Sequence, residues 1–402
     1  MRADPTSGLL VACLFAASAL GGCHEAPTAS QIIVSPPFVR AVVLWRDSTA
    51  TSIARGAFDD SSVYFLNNDL KNNHSVTADD KRTGRRRWQT QLTYTFDPGY
   101  VQGFSVTVAG GRVVVADIDA FGLDPLTGAI IWRYSPGIPG EVIGHEHTAT
   151  VGSTVYFGGF AGSLYAIDAT SGIPRWISHI FPDSAGNIND PLVVDGVIYV
   201  GFERLAFPRD IGGAAAVSAA DGHVIWIRYA PVHPENPSGP AAGVAVSPTQ
   251  VIFGSTAGPI YGLDRQTGVL IDSLPTEALL PAGGELGQKL YQWAQIGSHI
   301  LVSSYDGTVS EIDGADLHVH WKTETKTGAT LDMVADSAYV YVTGSGAAMK
   351  NFRLADGTFY WVVDEVAFRG ATDPEVLYGA PLLDGTRLYA GGSHGIYAFQ
   401  RP

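Results

Sequence analysis

The 402-residue sequence is poor in cysteine and in charge. It has two cysteines, so it can form at most one disulfide bond. Charged residues make up 16% of the chain and hydrophobic residues 46%, whereas an average protein has about 25% charged residues. Disordered chains combine low hydrophobicity with high charge, so this class is excluded. Glycine is abundant, with 47 residues. An apolar, glycine-rich composition favours many short strands joined by tight turns.

Positive charge is also scarce. Lys and Arg number 25 against 39 Asp and Glu, which gives a formal net charge of −14. An acidic surface repels phosphate groups, and this argues against nucleic acid as a partner. The same repulsion argues against electrostatic docking on anionic lipid.

The only long apolar run lies at the N-terminus. Residues 9–20 are apolar, which is too short for a transmembrane helix and typical of a signal-peptide core. The run ends in Leu20-Gly21-Gly22-Cys23, which resembles the bacterial lipobox, where the cysteine is acylated. We predict a signal peptide over 1–22, a lipid on Cys23 and a tether over 23–38. The alternatives are an ordinary signal peptide or a short buried helix.

The cysteine positions agree with this prediction. Cys13 would leave with the signal peptide and Cys23 would carry lipid, so the mature chain would have no disulfide, although export permits one. The expected location is the bacterial cell envelope, with the membrane contacted only through the anchor. His24 follows the cysteine. An aspartate there would resemble an inner-membrane retention signal, so we expect the outer membrane, on its periplasmic side.

A repeat of about 45 residues organises the rest of the chain. The pattern is Asp, three residues, Gly, three residues, Trp, as in Asp80, Gly84 and Trp88. Seven copies follow one another, and their Trp positions are 44, 44, 50, 46, 49 and 40 residues apart. Asp272 replaces the Trp of the fifth copy, and Leu317 replaces the Gly of the sixth. The tryptophans of the other copies are Trp88, Trp132, Trp176, Trp226, Trp321 and Trp361.

Each copy contains four strands, here called A, B, C and D, with turn residues between A and B. Four antiparallel strands every 40–50 residues predict the blades of a β-propeller. Counting gives eight B strands and eight C strands but only seven D strands after a motif. The segment 41–46, which contains Trp45, supplies the missing one. We therefore predict an all-β, eight-bladed propeller over 39–402, with its last blade closed by the N-terminal strand, rather than the two or three domains suggested by length.

The repeat resembles the tryptophan-docking motif of PQQ-type propellers over roughly 39–401. That family includes quinoprotein alcohol dehydrogenases and the propeller lipoprotein of the outer-membrane β-barrel assembly machinery. The resemblance implies that each tryptophan, Trp45 included, packs between neighbouring blades, while the glycine permits the C–D turn. The substitutions Asp272 and Leu317 predict an interface that is weaker or differently packed.

Few residues suggest chemistry. His145 and His147 lie on one face of a strand and are weak zinc candidates, because a third ligand must come from elsewhere. The alternative is a polar strand entry near the channel mouth. Asp117 and Asp119 are an equally weak calcium candidate. A basic cluster, Lys81 to Arg87, indicates a solvated turn or a contact with lipid or an acidic partner. Motifs for phosphate loops, zinc proteases and serine hydrolases are absent from the sequence.

The predicted function is a non-catalytic envelope lipoprotein whose monomeric propeller binds a protein partner, with outer-membrane protein assembly as the expected process. The alternative is a quinoprotein dehydrogenase-like enzyme or a ligand-binding propeller. The dehydrogenases that the repeat resembles usually hold their quinone under an adjacent-cysteine disulfide and over calcium. This chain has no such cysteine pair and no Cys-x-x-Cys-His haem signature. We therefore expect neither a cofactor nor catalytic residues.

The partner is expected on the face that carries the B–C and D–A connections, because these are long and rich in apolar side chains. The alternative is that these side chains fold back onto the propeller. They include Tyr94, Phe96, Tyr100, Phe181, Phe207, Leu279, Leu280 and Phe368.

Overall fold

A computed structural model describes most of the chain from Val39 onward. The predicted signal peptide, Cys23 and the tether lie outside the described residues, and so does His145. Within the described ranges, no helix has the length and apolar character needed to cross a membrane. The structure describes residues 39–52, 55–68, 74–94, 105–138, 141–143, 147–181, 186–204, 211–231, 241–255, 259–275, 278–279, 290–304, 307–325, 330–344, 349–363 and 375–401.

The strand types follow from their apolar patterns. Inner strands such as Thr154–Gly158 are buried throughout, because they lie inside a blade and between blades. Outer strands such as Arg86–Gln91 alternate between buried and exposed residues, as expected for a strand with one face in water. A continuous apolar run therefore marks B and C strands, and an alternating run marks D strands.

Eight antiparallel sheets follow one another along the chain. The strands of blades 1 to 4 are as follows: Ala57–Phe58, Ser62–Asn68, His74–Asp80 and Arg86–Gln91; Ser105–Ala109, Arg112–Ala116, Ala120–Leu123 and Ile130–Tyr134; Ala149–Val151, Thr154–Gly158, Ser163–Asp168 and Pro174–His179; Gly186–Val194, Val197–Arg204, Ile211–Ser218 and Val224–Tyr229. Those of blades 5 to 8 are Ala241–Val246, Gln250–Ser255, Ile260–Asp264 and Leu270–Leu274; Leu290–Ile296, His299–Ser304, Thr308–Asp313 and Val319–Glu324; Thr330–Ala335, Tyr339–Gly344, Met349–Arg353 and Phe359–Val363; Leu377–Asp384, Arg387–Gly392 and Ile396–Gln400.

The N-terminal strand Val43–Asp47 closes the ring. It pairs antiparallel with Ile396–Gln400 and becomes the outer strand of blade 8. The predicted eight-bladed, all-β propeller with this closure is therefore confirmed. A preceding short strand, Val39–Arg40, pairs in parallel with Phe359–Val363 and adds a fifth strand to blade 7. The sequence analysis missed this strand, because two residues carry no periodic pattern.

The basic cluster serves the contact between blades 8 and 1. Lys81 Nζ lies 2.9 Å from Asp384 Oδ2 of blade 8. Arg86 donates from Nε to buried Asp79 at 2.6 Å and also contacts Asp47 of the closing strand. The pKa of Asp79 is raised by burial to about 6, against the lowering effect of Arg86. The pairs with Asp384 and Asp47 connect the first blade to blade 8, and the pair with Asp47 does so through the strand that closes the ring.

The motif tryptophans contact the next blade in a recurrent way. Trp88 donates its indole N–H to the carbonyl of Pro125 at 2.9 Å, and Trp132 donates to Ala169 at 2.8 Å. The motif glycine of the next blade lies under the indole. Gly128 has a φ of +73°, and a Cβ atom there would stand 2.6 Å from the Trp88 ring. Both the backbone conformation and the close approach therefore favour glycine. Equivalent hydrogen bonds are made by Trp45, Trp176, Trp226 and Trp321.

The substitutions at the Trp and Gly positions of the repeat face each other across the contact between blades 5 and 6. Asp272 stands where a tryptophan would lie, and Leu317 stands where its glycine partner would lie. Leu317 keeps the positive φ, at +57°, and is 2% exposed. A side-chain donor to this turn comes instead from Gln250, whose Nε2 donates to the carbonyl of Ala315 at 2.5 Å, one residue beyond the carbonyl that the indoles use in other copies. This interface is thus packed differently from the others.

Candidate functional site

The two faces of the ring differ in their acidic residues. We call the face with the A–B and C–D turns the turn face, and the face with the B–C and D–A connections the connection face. Five carboxylates that are less than 5% exposed lie in or beside the connections or the strand entries of the connection face. Their burial makes this face the candidate functional site. They are Asp117, Asp119, Glu141, Asp332 and Glu375.

A histidine and two aspartates meet at the axis of the ring. His147 precedes the first strand of blade 3, and its Nδ1 lies 2.9 Å from Asp190 Oδ1 of blade 4. Its Nε2 lies 3.2 Å from Asp332 Oδ2, in the first strand of blade 7. The first strands of neighbouring blades contact one another around the axis. Blades 3 and 7 are opposite in a ring of eight, so the imidazole lies on the axis.

In this axial network, the attraction between charged groups opposes the effect of burial on their pKa values. Burial alone would lower the pKa of His147, but Asp190 and Asp332 outweigh it and raise that pKa to about 10. Burial would raise the pKa of Asp332, but the His147 charge holds it below its usual value. His147 is therefore an imidazolium at neutral pH and has no free lone pair for a metal ion. Among the described residues, no group of three His, Cys, Asp or Glu side chains is arranged to hold a metal.

A second buried cluster joins blades 1 and 2. The carboxylate of Asp117 accepts hydrogen bonds from the Tyr94 hydroxyl and the Ile118 amide, and it lies 2.7 Å from His74 Nδ1. Burial and the Asp117 charge raise the pKa of Tyr94 well above its usual value. Asp119 is paired with Arg133, whose Nε donates at 2.9 Å. The two aspartates of the calcium candidate thus serve different partners.

A glutamate–tyrosine pair occurs twice. Tyr165 donates to Glu141 Oε1 at 3.0 Å, and Tyr397 donates to Glu375 Oε2 at 2.6 Å. In both cases Glu-Val precedes a residue that pairs with a glycine near the end of a B strand, as Leu377 pairs with Gly392. Burial raises the pKa of Glu141 to about 7. Two Glu-Val-aliphatic segments were the sequence signal for this arrangement, and the sequence analysis missed it.

The apolar side chains described in the connections fold back onto the blades. Tyr94 packs edge-on against Phe121. Phe181 lies 4.8 Å from Phe202, ring centre to ring centre, and Leu279 is 2% exposed in the core of blades 5 and 6. For these three, the alternative of folding back holds. The other five, Phe96, Tyr100, Phe207, Leu280 and Phe368, lie outside the described residues.

Comparison with known proteins identifies the family. Residues 120–361 and 278–401 match the family described as outer membrane protein assembly factor BamB. The chain belongs to this family. The crystal structure of BamB from Moraxella catarrhalis is similar, with a TM-score of 0.51 and 18% identity over 87% of this chain and 82% of that one. At this identity the likeness shows the fold alone.

Quinone-dependent enzymes are related as well. Over 136 residues the chain is 30% identical to the dehydrogenase subunit of alcohol dehydrogenase (quinone) from Gluconobacter oxydans (strain 621H). The match covers 30% of this chain and 18% of that subunit. The quinohemoprotein alcohol dehydrogenase from Comamonas testosteroni has a TM-score of 0.63 and 15% identity, covering 90% of this chain and 76% of that one.

The described residues do not fit a quinone on the axis at the level of His147. There the imidazole spans the gap between opposite blades and is held from both sides by aspartates. A flat tricyclic cofactor and this side chain cannot share the same space. Three aspartates could otherwise serve a counter-ion, but Asp119 is engaged by Arg133, Asp332 by His147, and Asp117 by the ring nitrogen of His74.

Proposed function

We propose that this protein is a lipid-anchored envelope protein whose propeller is a non-catalytic scaffold in outer-membrane protein assembly. The observation that carries the proposal is membership of the BamB family, whose match extends from residue 120 to residue 401. In this role the ring holds a partner protein, and the anchor on Cys23 holds the ring at the outer membrane, on the periplasmic side.

We assign the partner to the connection face, because long connections on a rigid scaffold are where binding usually occurs. The carboxylates buried in and beside these connections are a second reason, since perturbed acidic groups cluster at functional sites.

Capture of a partner from envelope membranes tests this assignment. The first variant shortens the connection between Ser273 and Tyr291, and the control lengthens the turn Asp195-Gly196 by two glycines. Both proteins are first shown to melt as the parent does. We expect loss of the captured protein with the first variant only. Loss with the control alone would place the partner on the turn face and contradict the assignment.

The anchor is tested separately by Cys23→Ser. We expect the variant to appear as a soluble protein or as an uncleaved precursor, since no thiol is available for acylation. Fractionation of membranes, with mass measurement of the N-terminus, distinguishes these products. A fully processed Cys23→Ser protein that stays in the membrane fraction would contradict lipidation at this residue.

A quinoprotein dehydrogenase is the second candidate, favoured by the 30% identity to the alcohol dehydrogenase subunit. Its test is incubation of the purified chain with pyrroloquinoline quinone and calcium, followed by dye-coupled oxidation of ethanol. The scaffold proposal expects no turnover above that of the free quinone. Turnover that requires the folded chain would replace it with the enzymatic one.

A further inference from the structure

A cavity of about 290 Å³ lies beside the axial network, among the first strands of blades 8, 1 and 2 and the entry to blade 3. Its polar lining includes Arg55, His147 and the hydroxyl residues Ser105 and Thr148, and its apolar lining includes Phe58 and Leu382. Both ionisable residues in the lining are cationic.

Arg55 differs from Arg133, another arginine of this face, because it has no ion-pair partner among the described residues. Arg133, on the next blade, is paired with buried Asp119. Arg55 is half-buried, and among the described residues it makes no side-chain hydrogen bond and no ion pair, although the chain has 39 acidic residues. A half-buried guanidinium has five N–H donors, and leaving them unused costs free energy.

The acids near the cavity are already engaged. Asp332 contributes to the field around Arg55, but its carboxylate accepts the amides of Met333 and Ala380 and contacts His147. Asp190 is likewise held by His147, through the ring and the backbone amide. Among the described lining residues, the guanidinium of Arg55 therefore remains the cationic group without an ion pair.

We propose that the cavity binds a carboxylate attached to an apolar group, with Arg55 as its anchor. Arginine pairs with carboxylates through two parallel hydrogen bonds. Ser105 and Thr148 are hydrogen-bonded to each other at 3.2 Å, and the hydroxyl that accepts in this pair offers one further donor. Phe58 and Leu382 receive the apolar group. A cavity of about 150 Å³ already accepts benzene, so the volume here accommodates an aromatic acid.

A carboxylate attached to an apolar group occurs in two kinds of ligand, a free small acid and the C-terminal residue of a peptide. This site goes beyond the proposed scaffold role, because the connections that would bind a partner are different residues. Capture of a partner can therefore fail while the carboxylate site remains, and the reverse also holds.

Titration calorimetry on the purified full-length chain at neutral pH tests the site. The probes are phenylacetate, its neutral analogue phenylacetamide, and a five-residue peptide ending in phenylalanine, as the free acid and as the amide. We expect each acid that fits to bind at least about tenfold more tightly than its amide, since a charged hydrogen-bonded pair is lost. Binding of phenylacetate alone identifies a small-acid site, and binding of the peptide acid identifies a C-terminus.

Arg55→Gln is expected to weaken binding of the acid by about ten- to a hundredfold and to leave the amide unaffected. Arg82→Gln removes the same charge from an exposed position on the turn face and is the matched control, expected to bind as the parent does. Because Arg55 has no partner in the described structure, its variant is expected to melt as the parent does. Equal binding of acid and amide, an Arg55→Gln protein that binds the acid like the parent, or no binding of either acid overturns the proposal.

Discussion

Acidic residues on the two faces of the propeller serve opposite purposes. On the turn face, Asp124 lies at the surface and accepts the amides of Thr127 and Leu126 at 2.8 and 3.0 Å, and these hydrogen bonds lower its pKa. On the connection face, Glu141 is 1% exposed and burial raises its pKa to about 7. The Asp124 carboxylate caps a turn in water, whereas the Glu141 carboxylate is buried at a cost in free energy.

The turns of the turn face have a recurrent structure, whereas the connections of the connection face differ from blade to blade. Asp80, Asp168 and Asp264 cap their turns as Asp124 does, because each blade needs the same tight turn under the preceding tryptophan. Each connection instead joins a different pair of blades with a different set of partners. A specific binding surface requires a difference from blade to blade, so we expect a partner on the connection face.

Both faces depend on a closed ring, so the largest effect is expected from opening it. Removal of residues 24–37 is expected to leave the melting temperature nearly unchanged. Removal through Arg46 deletes the outer strand of blade 8, with Trp45, and is expected to lower it by roughly 10 °C or more, since several kcal/mol of packing is lost. Calorimetric scans of the two truncations provide the measurement. Equal melting temperatures would contradict the closure mechanism.

The repeated docking contacts are expected to be the next largest contribution. Trp132→Ala should lower the free energy of unfolding by about 3–5 kcal/mol, as expected for truncation of a buried aromatic side chain. Trp176→Ala should cost a similar amount, because its contact with the next blade is equivalent. His318→Ala, at an exposed position, is the control and should cost little. Denaturant titration that gives the same stability for all three would rule out the docking role.

The interface between blades 5 and 6 sharpens the comparison within the turn face. Leu317→Gly restores the residue that other copies of the repeat have at this position. It also relieves backbone strain, because glycine adopts a positive φ more readily than leucine. We nevertheless expect it to destabilise the protein by about 1–3 kcal/mol, because a buried leucine is lost where no tryptophan fills the space. Denaturant titration measures this change. A stabilised variant would mean that the leucine is not the substitute for the missing indole.

Glu141→Gln tests the buried carboxylates through pH. The folded pKa of about 7 lies above the usual glutamate value of 4.5, so the folded state holds a proton that the unfolded state has lost. Stability therefore falls as pH rises from about 4.5 to 7. The glutamine variant lacks this penalty, and its stability relative to the parent should rise over that window by up to about 3 kcal/mol. Thermal melts at several pH values would show a flat difference if burial did not shift this pKa.

Asp124→Asn is the counterpart on the turn face and the smallest expected effect. The pKa of Asp124 is lowered in the folded state, so its ionised form contributes stability above the unfolded pKa and loses it as pH falls. Asparagine can still accept the turn amides. We expect a small loss of stability at neutral pH that vanishes in acid, which is opposite in pH dependence to Glu141→Gln. The same trend in both variants would remove the distinction between the faces.

The sequence alone was sufficient for the fold. The spacing of Asp80, Gly84 and Trp88 and of the later copies reports a local requirement, a tight turn beneath an indole, that recurs with every blade. Strand counting could assign 41–46 to blade 8, because a ring with an unpaired edge is unfavourable. Each of these inferences rests on residues that are close in the sequence or on the period of the repeat. A single sequence contains both kinds of information.

The candidate site was decided by the tertiary structure. His147 and Asp332 are 185 residues apart, and they meet only because blades 3 and 7 are opposite in a closed ring. The pairing turned a possible metal ligand into a half-buried imidazole held by two aspartates, since its partners come from other blades. The same holds for Arg55, whose lack of an ion-pair partner among the described residues is a property of the assembled cavity. Long-range contacts of this kind leave no periodic trace in a single sequence.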